Sequence, residues 1–247
     1  MTKTSVHFRI ASYNTHKCRG IHGPISPERV IRVIQELEAD ILCLQEVVDA
    51  AGGTGKYDQA RRIEEAFPEL NVAFGETRPL HGGRYGNMLI TRFPIQDIQS
   101  HDITKSTREE RGVLQCAIEV GRSLNINVFN VHLGTGYLER RRQLEVLIGP
   151  KILAQPKLKG PRIVIGDFNE WTRGITTRLL QQNFQSDRPI RNRRSARTFP
   201  GVLPILSLDH CYYEPPLEMV STKIWRSSRA MIASDHLPLI ADFRLPV

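Results

Sequence analysis

Along this 247-residue chain, apolar strand-like runs repeatedly begin or end on a polar residue able to do chemistry. Asn14 follows RIASY, Glu46 follows ILCLQ, His132 follows NVFNV, and Asp167 and Asn169 follow RIVIG. Asp235 and His236 precede LPLIADF, and Asp209 with His210 interrupts a further run, ILSLDHCYY. One Asn or Asp at a strand end ordinarily forms a turn, and one histidine there is ordinarily a satisfied surface group. Their recurrence has another reading, because strand ends along one sheet edge are where α/β folds assemble sites. Glu, Asp and Asn oxygens without cysteine suit Mg²⁺, with Mn²⁺ as a substitute. Two histidines, each near a carboxylate, supply acid–base groups and donors to phosphate oxygens. Together they describe metal-assisted hydrolysis of a phosphate ester, in which water attacks in line on a polarised phosphoryl group.

These residues must be positioned by regular elements. Residues 6–13 alternate as a strand that stops at Asn14. Pro27 opens an amphipathic helix to about Ala39, with Val30, Ile31, Val33, Ile34 and Leu37 at helical spacing. Residues 41–44 form a buried-type strand ending at Gln45-Glu46, so the three elements make a parallel βαβ unit. That unit places Asn14 and Glu46 at the same ends of neighbouring strands. Residues 87–91, 95–100, 113–120 and 124–131 read as strands joined by short turns at Phe93-Pro94 and Gly121-Arg122, typical of antiparallel pairing. A helix over about 138–153, a strand at 162–165, helical residues 173–183, a loop at 189–204 and strands at 206–213, 218–224 and 239–243 complete the chain. Many strands with few helices predict a layered α/β sandwich in a single domain spanning 1–247.

Composition narrows the classes. At 40% hydrophobic and 24% charged residues the chain is ordinary globular material, neither disordered nor fibrous. No apolar run approaches a bilayer span, and the start, MTKTSVHFRIASYN, lacks the apolar stretch of a signal peptide. Cys18, Cys43, Cys116 and Cys211 are scattered without a CxxC pair, which predicts reduced thiols in a cytoplasmic protein. The net charge is +8, and only eight of the 34 basic residues are lysine. Arginine presents a planar fork of donors that matches phosphate, so the balance points to a phosphate-bearing partner or to a solvated basic surface. Five arginines fall between Arg188 and Arg197 with no acid among them.

SYNTHKCRG, LQEV, YGNMLITRFP, NVHLG, GDFNEW, LDH and SDHLPL occur in an order that resembles the endonuclease/exonuclease/phosphatase superfamily, over about residues 8–243. Singly these motifs are weak; all seven in order are specific. The resemblance implies a four-layer α/β sandwich, two mixed β-sheets packed face to face with helices on the outside. It implies Glu46 as the principal Mg²⁺ ligand, Asn14 beside it and Asp235 near the metal. His236 would bond the scissile phosphate, Asp209 would hold the His236 imidazole, and Asp167 and Asn169 would position or deprotonate the attacking water. Either Asp167 or His236 is the base. His132 stands where some members use His and others Tyr, as a phosphate contact or leaving-group acid. Arg111 occupies a place from which arginine reaches phosphate in some members, or it is a surface arginine. Tyr85 and Asn87 line the cleft or belong to a core strand. His16, Lys17 and Arg19 form a cationic loop toward phosphate or a solvated turn. Trp171 is expected to pack under its loop, and His210 receives no role.

The expected substrate is a phosphate ester on a polyanion such as DNA or RNA, bound through Arg111 and through Arg191, Arg193, Arg194 and Arg197 of the basic loop. Phospholipid head-group phosphodiester and inositol phosphate are the alternatives, since shared chemistry does not fix substrate. An anionic membrane surface is the lesser alternative partner, and monomer is the default state. A catalytically silent anion-binding module is the reading from another class. It would bind without metal and be indifferent to substitution of His236.

Overall fold

A computed structural model describes residues 5–21, 23–50, 55–105, 109–121, 124–171, 174–186 and 196–246. Four strands open the chain: β1 (Ser5–Asn14), β2 (Ile41–Asp49), β3 (Asn71–Leu80) and β4 (Gly83–Thr91). A second group follows, β5 (Ile95–Asp102), β6 (Gly112–Gly121), β7 (Leu124–His132), β8 (Arg162–Asp167), β9 (Gln185–Ser186) and β10 (Asp209–Tyr213). The chain then returns to the first sheet with β11 (Glu218–Ile224) and β12 (Leu239–Pro246). The two six-stranded sheets have the orders β11-β12-β1-β2-β4-β3 and β5-β6-β7-β8-β10-β9. Each sheet carries one parallel pair at its centre, β1 with β2 and β7 with β8, and is otherwise antiparallel.

The inner faces meet in an apolar layer. Phe8, Ile10, Cys43 and Leu89 of the first sheet pack with Leu114, Cys116, Val128 and Ile165 of the second. Helix α1 (Pro27–Leu37) starts on a proline, whose missing N–H is no loss in a first turn. It buries Val30, Val33, Ile34 and Leu37, and ends where Glu38 turns left-handed at φ 47°. With α2 (Gln59–Ala66) and α5 (Ser228–Ala233) it covers the outer face of the first sheet, through Ile63, Ala230 and Ala233 against Leu42, Leu44 and Ile240. Leu144, Leu147 and Leu180 of α3 (Tyr137–Leu147) and α4 (Ile175–Leu180) cover Phe129, Val131 and Val164 of the second. Covering on both faces explains why Ile10–Asn14 is buried throughout instead of alternating. The result is the two-sheet sandwich with outer helices.

Four local expectations change. Phe93-Pro94 does not close a hairpin: β4 and β5 belong to different sheets, and the turn is a crossover. The helix expected over 138–153 ends at Leu147 and continues as turns. β2 runs past Glu46 to Asp49, with a register break against β4 between Leu44 and Val47. Helix α2 and strand β3 lie where no element was expected. Most of the loop expected at 189–204 lies outside the described residues, and 196–204 is irregular. Among the described residues no helix is long and apolar enough to cross a membrane, and the four cysteines are buried and free.

Candidate active site

The two central parallel pairs end side by side. Asn14 ends β1 beside Gln45 of β2, and His132 ends β7 beside Asp167 of β8. Asp209 begins β10 directly opposite Asp167. The β7–β8 approach needs Gly166, which sits at φ 148° and whose Cβ would lie 2.0 Å from the Val131 carbonyl oxygen. Side chains then cross the gap between the sheets: Asn14 Nδ2 donates to Asp167 Oδ2 at 3.0 Å and to Glu46 Oε1 at 3.3 Å.

Asp167 and Asp209 of the second sheet meet His236, which stands between α5 and β12 on the side of the first. His236 Nδ1 bonds Asp209 Oδ2 at 2.9 Å, and its Nε2 faces Asp167 Oδ2 at 3.7 Å. Burial would lower the His236 imidazole, but the Asp209 and Asp167 carboxylates override it and raise it to about 10. Burial pushes Asp167 up to about 6, with the His236 charge opposing and Asp209 adding to the rise. At neutral pH this is an imidazolium facing a carboxylate. Asp167 Oδ1 accepts the Asn169 N–H at 2.8 Å, and Asn169 donates from Nδ2 to the Leu133 carbonyl at 2.9 Å while adopting φ 49°, which asparagine tolerates. His132 Nε2 lies 3.6 Å from Asp167 Oδ2 and 3.8 Å from Glu46 Oε1. Its Nδ1 faces Arg111 Nη1 at 3.4 Å and accepts from it, so the ring proton belongs on Nε2. Burial and Arg111 hold this imidazole well below the ordinary histidine range, that is, neutral.

The first sheet supplies Glu46 and the groups around it. Glu46 sits at φ 59° at the β2 register break. Its Oε2 accepts from Lys17 Nζ at 2.5 Å. Lys17 reaches it from the turn His16–Cys18, whose three residues all have φ between 50° and 55°. Burial would raise the Glu46 carboxyl, but His132 and Lys17 hold it down at about 2. Since His132 is neutral, Lys17 carries the opposing positive charge. Asp235 is bound differently: its Oδ1 accepts from Ser234 Oγ at 3.4 Å and lies 3.5 Å from His16 Nδ1, and no contact joins it to Glu46.

Two groups offer metal-ligand chemistry. Asp167, Asp209 and His236 present ligand atoms within 4.8 Å of one another, and Asp209 Oδ1 is buried without a partner. With His236 protonated the same three groups fit acid–base work instead. Asn14 and Glu46 offer oxygen donors only, which suits a hard divalent cation, and the Lys17 ammonium already occupies a cation's place on Glu46.

Residues beneath the site hold these groups. Gln45 Nε2 donates to Asn130 Oδ1 at 2.7 Å, Asn130 Nδ2 donates to the Leu44 and Met88 carbonyls, and Asn87 Nδ2 donates to the Asn130 and Gly112 carbonyls. This buried polar seam ties the sheets together under the site, and makes Asn87 a link between sheets. Thr198 Oγ1 accepts from the Leu208 and Asp209 amides, and the Phe199 ring lies 5.1 Å from His236. Glu170 accepts the Thr176 and Thr177 amides at the start of α4. These supports were not anticipated, although Asn130 stands two residues before His132 and so shares its strand face.

Arg111 is buried against His132, which excludes the surface alternative. Lys17 lies on Glu46 instead of in a solvated turn. Trp171 is 59% exposed, contrary to the expected packing, because the Phe168 side chain fills the space under the loop. His210 is a structural residue, bonded to Tyr212 and the Ser207 carbonyl. Arg197 is half-buried, and no hydrogen bond or ion pair joins its guanidinium to the cluster. Arg191, Arg193 and Arg194 lie outside the described residues.

The model of the Endonuclease/Exonuclease/phosphatase family matches residues 11–236, which contain every residue of this cluster. The chain belongs to that family. Endonuclease/exonuclease/phosphatase proteins are generally phosphoester hydrolases and generally divalent-metal-dependent. YbhP of Escherichia coli strain K12 is 29% identical over 260 residues, covering 96% of each chain. A crystal structure of an endonuclease/exonuclease/phosphatase protein from Beutenbergia cavernae superposes with TM-score 0.81 at 20% identity, covering 98% of this chain and 72% of that one. The mannosyl-6-phosphatase Bt3783 of Bacteroides thetaiotaomicron superposes with TM-score 0.76 at 16% identity, covering 96% and 99%. At these identities the two structures share the family fold.

Proposed function

We propose that this chain is a divalent-metal-dependent phosphoester hydrolase acting on a phosphodiester within a polyanionic substrate such as DNA or RNA. The observation that carries the proposal is the Asp209–His236–Asp167 line, at 2.9 and 3.7 Å, joined to Glu46 across the two sheets by the Asn14 side-chain amide, which donates to both Asp167 and Glu46. Asp167, held by the Asn169 N–H and by Asn14, is the base that accepts the proton of the attacking water. Its carboxyl at about 6 is ionised at neutral pH yet basic enough to take a proton. His236 stays protonated through Asp209 and donates from Nε2 to a phosphate oxygen; this division of roles makes Asp167 the base. Neutral His132, with its proton on Nε2, donates to the phosphate or the leaving oxygen. Asn14 and Glu46 hold the divalent ion, with Mg²⁺ the first choice and Mn²⁺ its substitute. The bound ion would polarise the phosphoryl oxygen and offset charge developing on the leaving group.

The polyanion reading draws on the +8 charge and the arginine-rich stretch 188–197. A phosphomonoester is the second reading, favoured by the resemblance in fold to a mannosyl-6-phosphatase. Turnover on single- and double-stranded DNA, RNA, an inositol polyphosphate, an anionic phospholipid and a sugar phosphate decides between them. Hydrolysis of the nucleic acids with kcat/KM at least about a hundredfold above the sugar phosphate is expected. The reverse order establishes the monoesterase, and no turnover on any substrate with Mg²⁺ or Mn²⁺ rejects the hydrolase.

A further inference from the structure

Beside His132 lies a cluster in which Arg78, Tyr85 and Glu109 take no part in the hydrolytic chemistry. Glu109 Oε1 is 2.8 Å from Arg78 Nη2, and Glu109 Oε2 is 2.9 Å from Arg111 Nη2, so one carboxylate bridges two guanidinium groups. Arg78 also lies over the Tyr85 ring, 4.7 Å from its centroid, and Lys17 Nζ lies 5.5 Å from the same centroid. Three buried donors here have no partner: Arg78 Nε, Arg111 Nε and the Tyr85 hydroxyl. Arg111 and Tyr85 are 6% and 1% exposed, whereas the Glu109 side chain is 38% exposed.

This arrangement is poorly matched to the group it holds. The Glu109 carboxylate makes one contact with each arginine and reaches none of the three unpartnered donors. Each buried donor left without a partner carries its desolvation cost uncompensated. A tetrahedral phosphate brings more oxygens, in a geometry that guanidinium forks and a phenol can share. Glu109 is half in water, where an ion pair is weak and exchangeable. The cluster is also in the right place, since Arg111 Nη1 is 3.4 Å from His132 Nδ1 and His132 Nε2 is 3.6 Å from Asp167.

We propose that Arg78, Arg111 and Tyr85 form an anion subsite for a second phosphate of the substrate, one imidazole away from the scissile position, and that the Glu109 carboxylate occupies it in the free protein. This rests on the hydrolase reading for the position of the scissile phosphate, and names the substrate class more narrowly: an ester carrying a further phosphate next to the one cleaved. The solvated face of Glu109 leaves by side-chain rotation, and the incoming phosphate takes its place between the two arginines.

The test compares thymidylyl-thymidine with the same dinucleotide bearing a terminal phosphate at either end. The quantity read is the ratio of KM values, phosphorylated over unphosphorylated, for the better end. Arg78→Gln is expected to raise that ratio about tenfold and Glu109→Gln to lower it severalfold, since one removes a charged donor and the other a competing anion. The same ratio in all three proteins would make Glu109 a structural ion-pair partner and overturn the subsite. If the wild type turns over none of these dinucleotides, the subsite is decided separately from the hydrolase reading, by calorimetric titration of metal-free protein with inorganic phosphate. Binding about tenfold tighter in Glu109→Gln than in wild type, and lost again in Arg78→Gln/Glu109→Gln, supports the subsite. Equal affinity in the three overturns it.

Discussion

The two central parallel pairs are built alike but surround their polar groups differently. One brings Asn14, at the end of β1, beside Glu46 at the register break of β2; the other brings His132 beside Asp167 at adjoining strand ends. In the first, Glu46 is held ionised by an opposing ammonium, in left-handed backbone at a register break. In the second, burial pushes the Asp167 carboxyl up to about 6 with Asp209 adding to the rise, and the Asp209 and Asp167 carboxylates raise the facing His236 imidazole to about 10 against the effect of burial. In the proposed reaction one half holds a cation and the other holds and moves protons. The lesson is that strand topology supplies position, while the neighbours of each carboxylate decide its task.

If that division is right, substitutions in the two halves should fail differently. The largest loss is expected from Asp167→Asn, which keeps the shape and removes the base: kcat should fall about a thousandfold, with little change in divalent-ion affinity measured by calorimetry. A comparable loss of ion binding would merge the two halves. Next comes pH. Activity should fall below about 6 as Asp167 gains a proton and above about 10 as His236 loses one. The two limbs belong to the interacting pair, and a rate that is flat from pH 5 to 7 would contradict the assignment of the base. The seam that joins the halves should matter to stability: Asn130→Ala leaves the Gln45 amide and two carbonyls short of partners, a cost of about 3 kcal/mol in urea unfolding. A cost near zero would mean the halves are held by apolar packing alone. The smallest effect is expected from Lys17→Gln, which removes the ammonium from Glu46 and should tighten Mn²⁺ binding severalfold. Weaker binding would mean that Lys17 orders Glu46 more than it competes with the ion.

The site was more legible in the sequence than the fold around it. Asn14, Glu46, His132 and Asp167 stand out because long apolar runs stop or break on them, and a buried strand leaves no other reason for such residues. Asp209, at the start of β10, and His236, just before β12, share the same signal. Strand β3 was missed because NVAFGETRPL mixes glycine, charge and proline, as an edge strand half in solvent allows. Helix α2 was missed because QARRIEEA offers only Ala60 and Ile63 to the core. Lys17 and Arg111 could not be placed from spacing, since the first depends on three consecutive left-handed residues and the second on contact across two strands. Trp171 was misjudged because nothing local shows that Phe168 already fills the space beneath it.

The central claim is that one buried acid–imidazole array, served by a divalent ion, cleaves a phosphoester. Its most direct test is steady-state hydrolysis of bis(4-nitrophenyl) phosphate with Mg²⁺ or Mn²⁺ by the wild type, with and without EDTA, and by His236→Ala of matched thermal stability. Turnover that EDTA abolishes and that His236→Ala lowers by about a thousandfold or more is expected. Turnover that survives both the chelator and the substitution would contradict it.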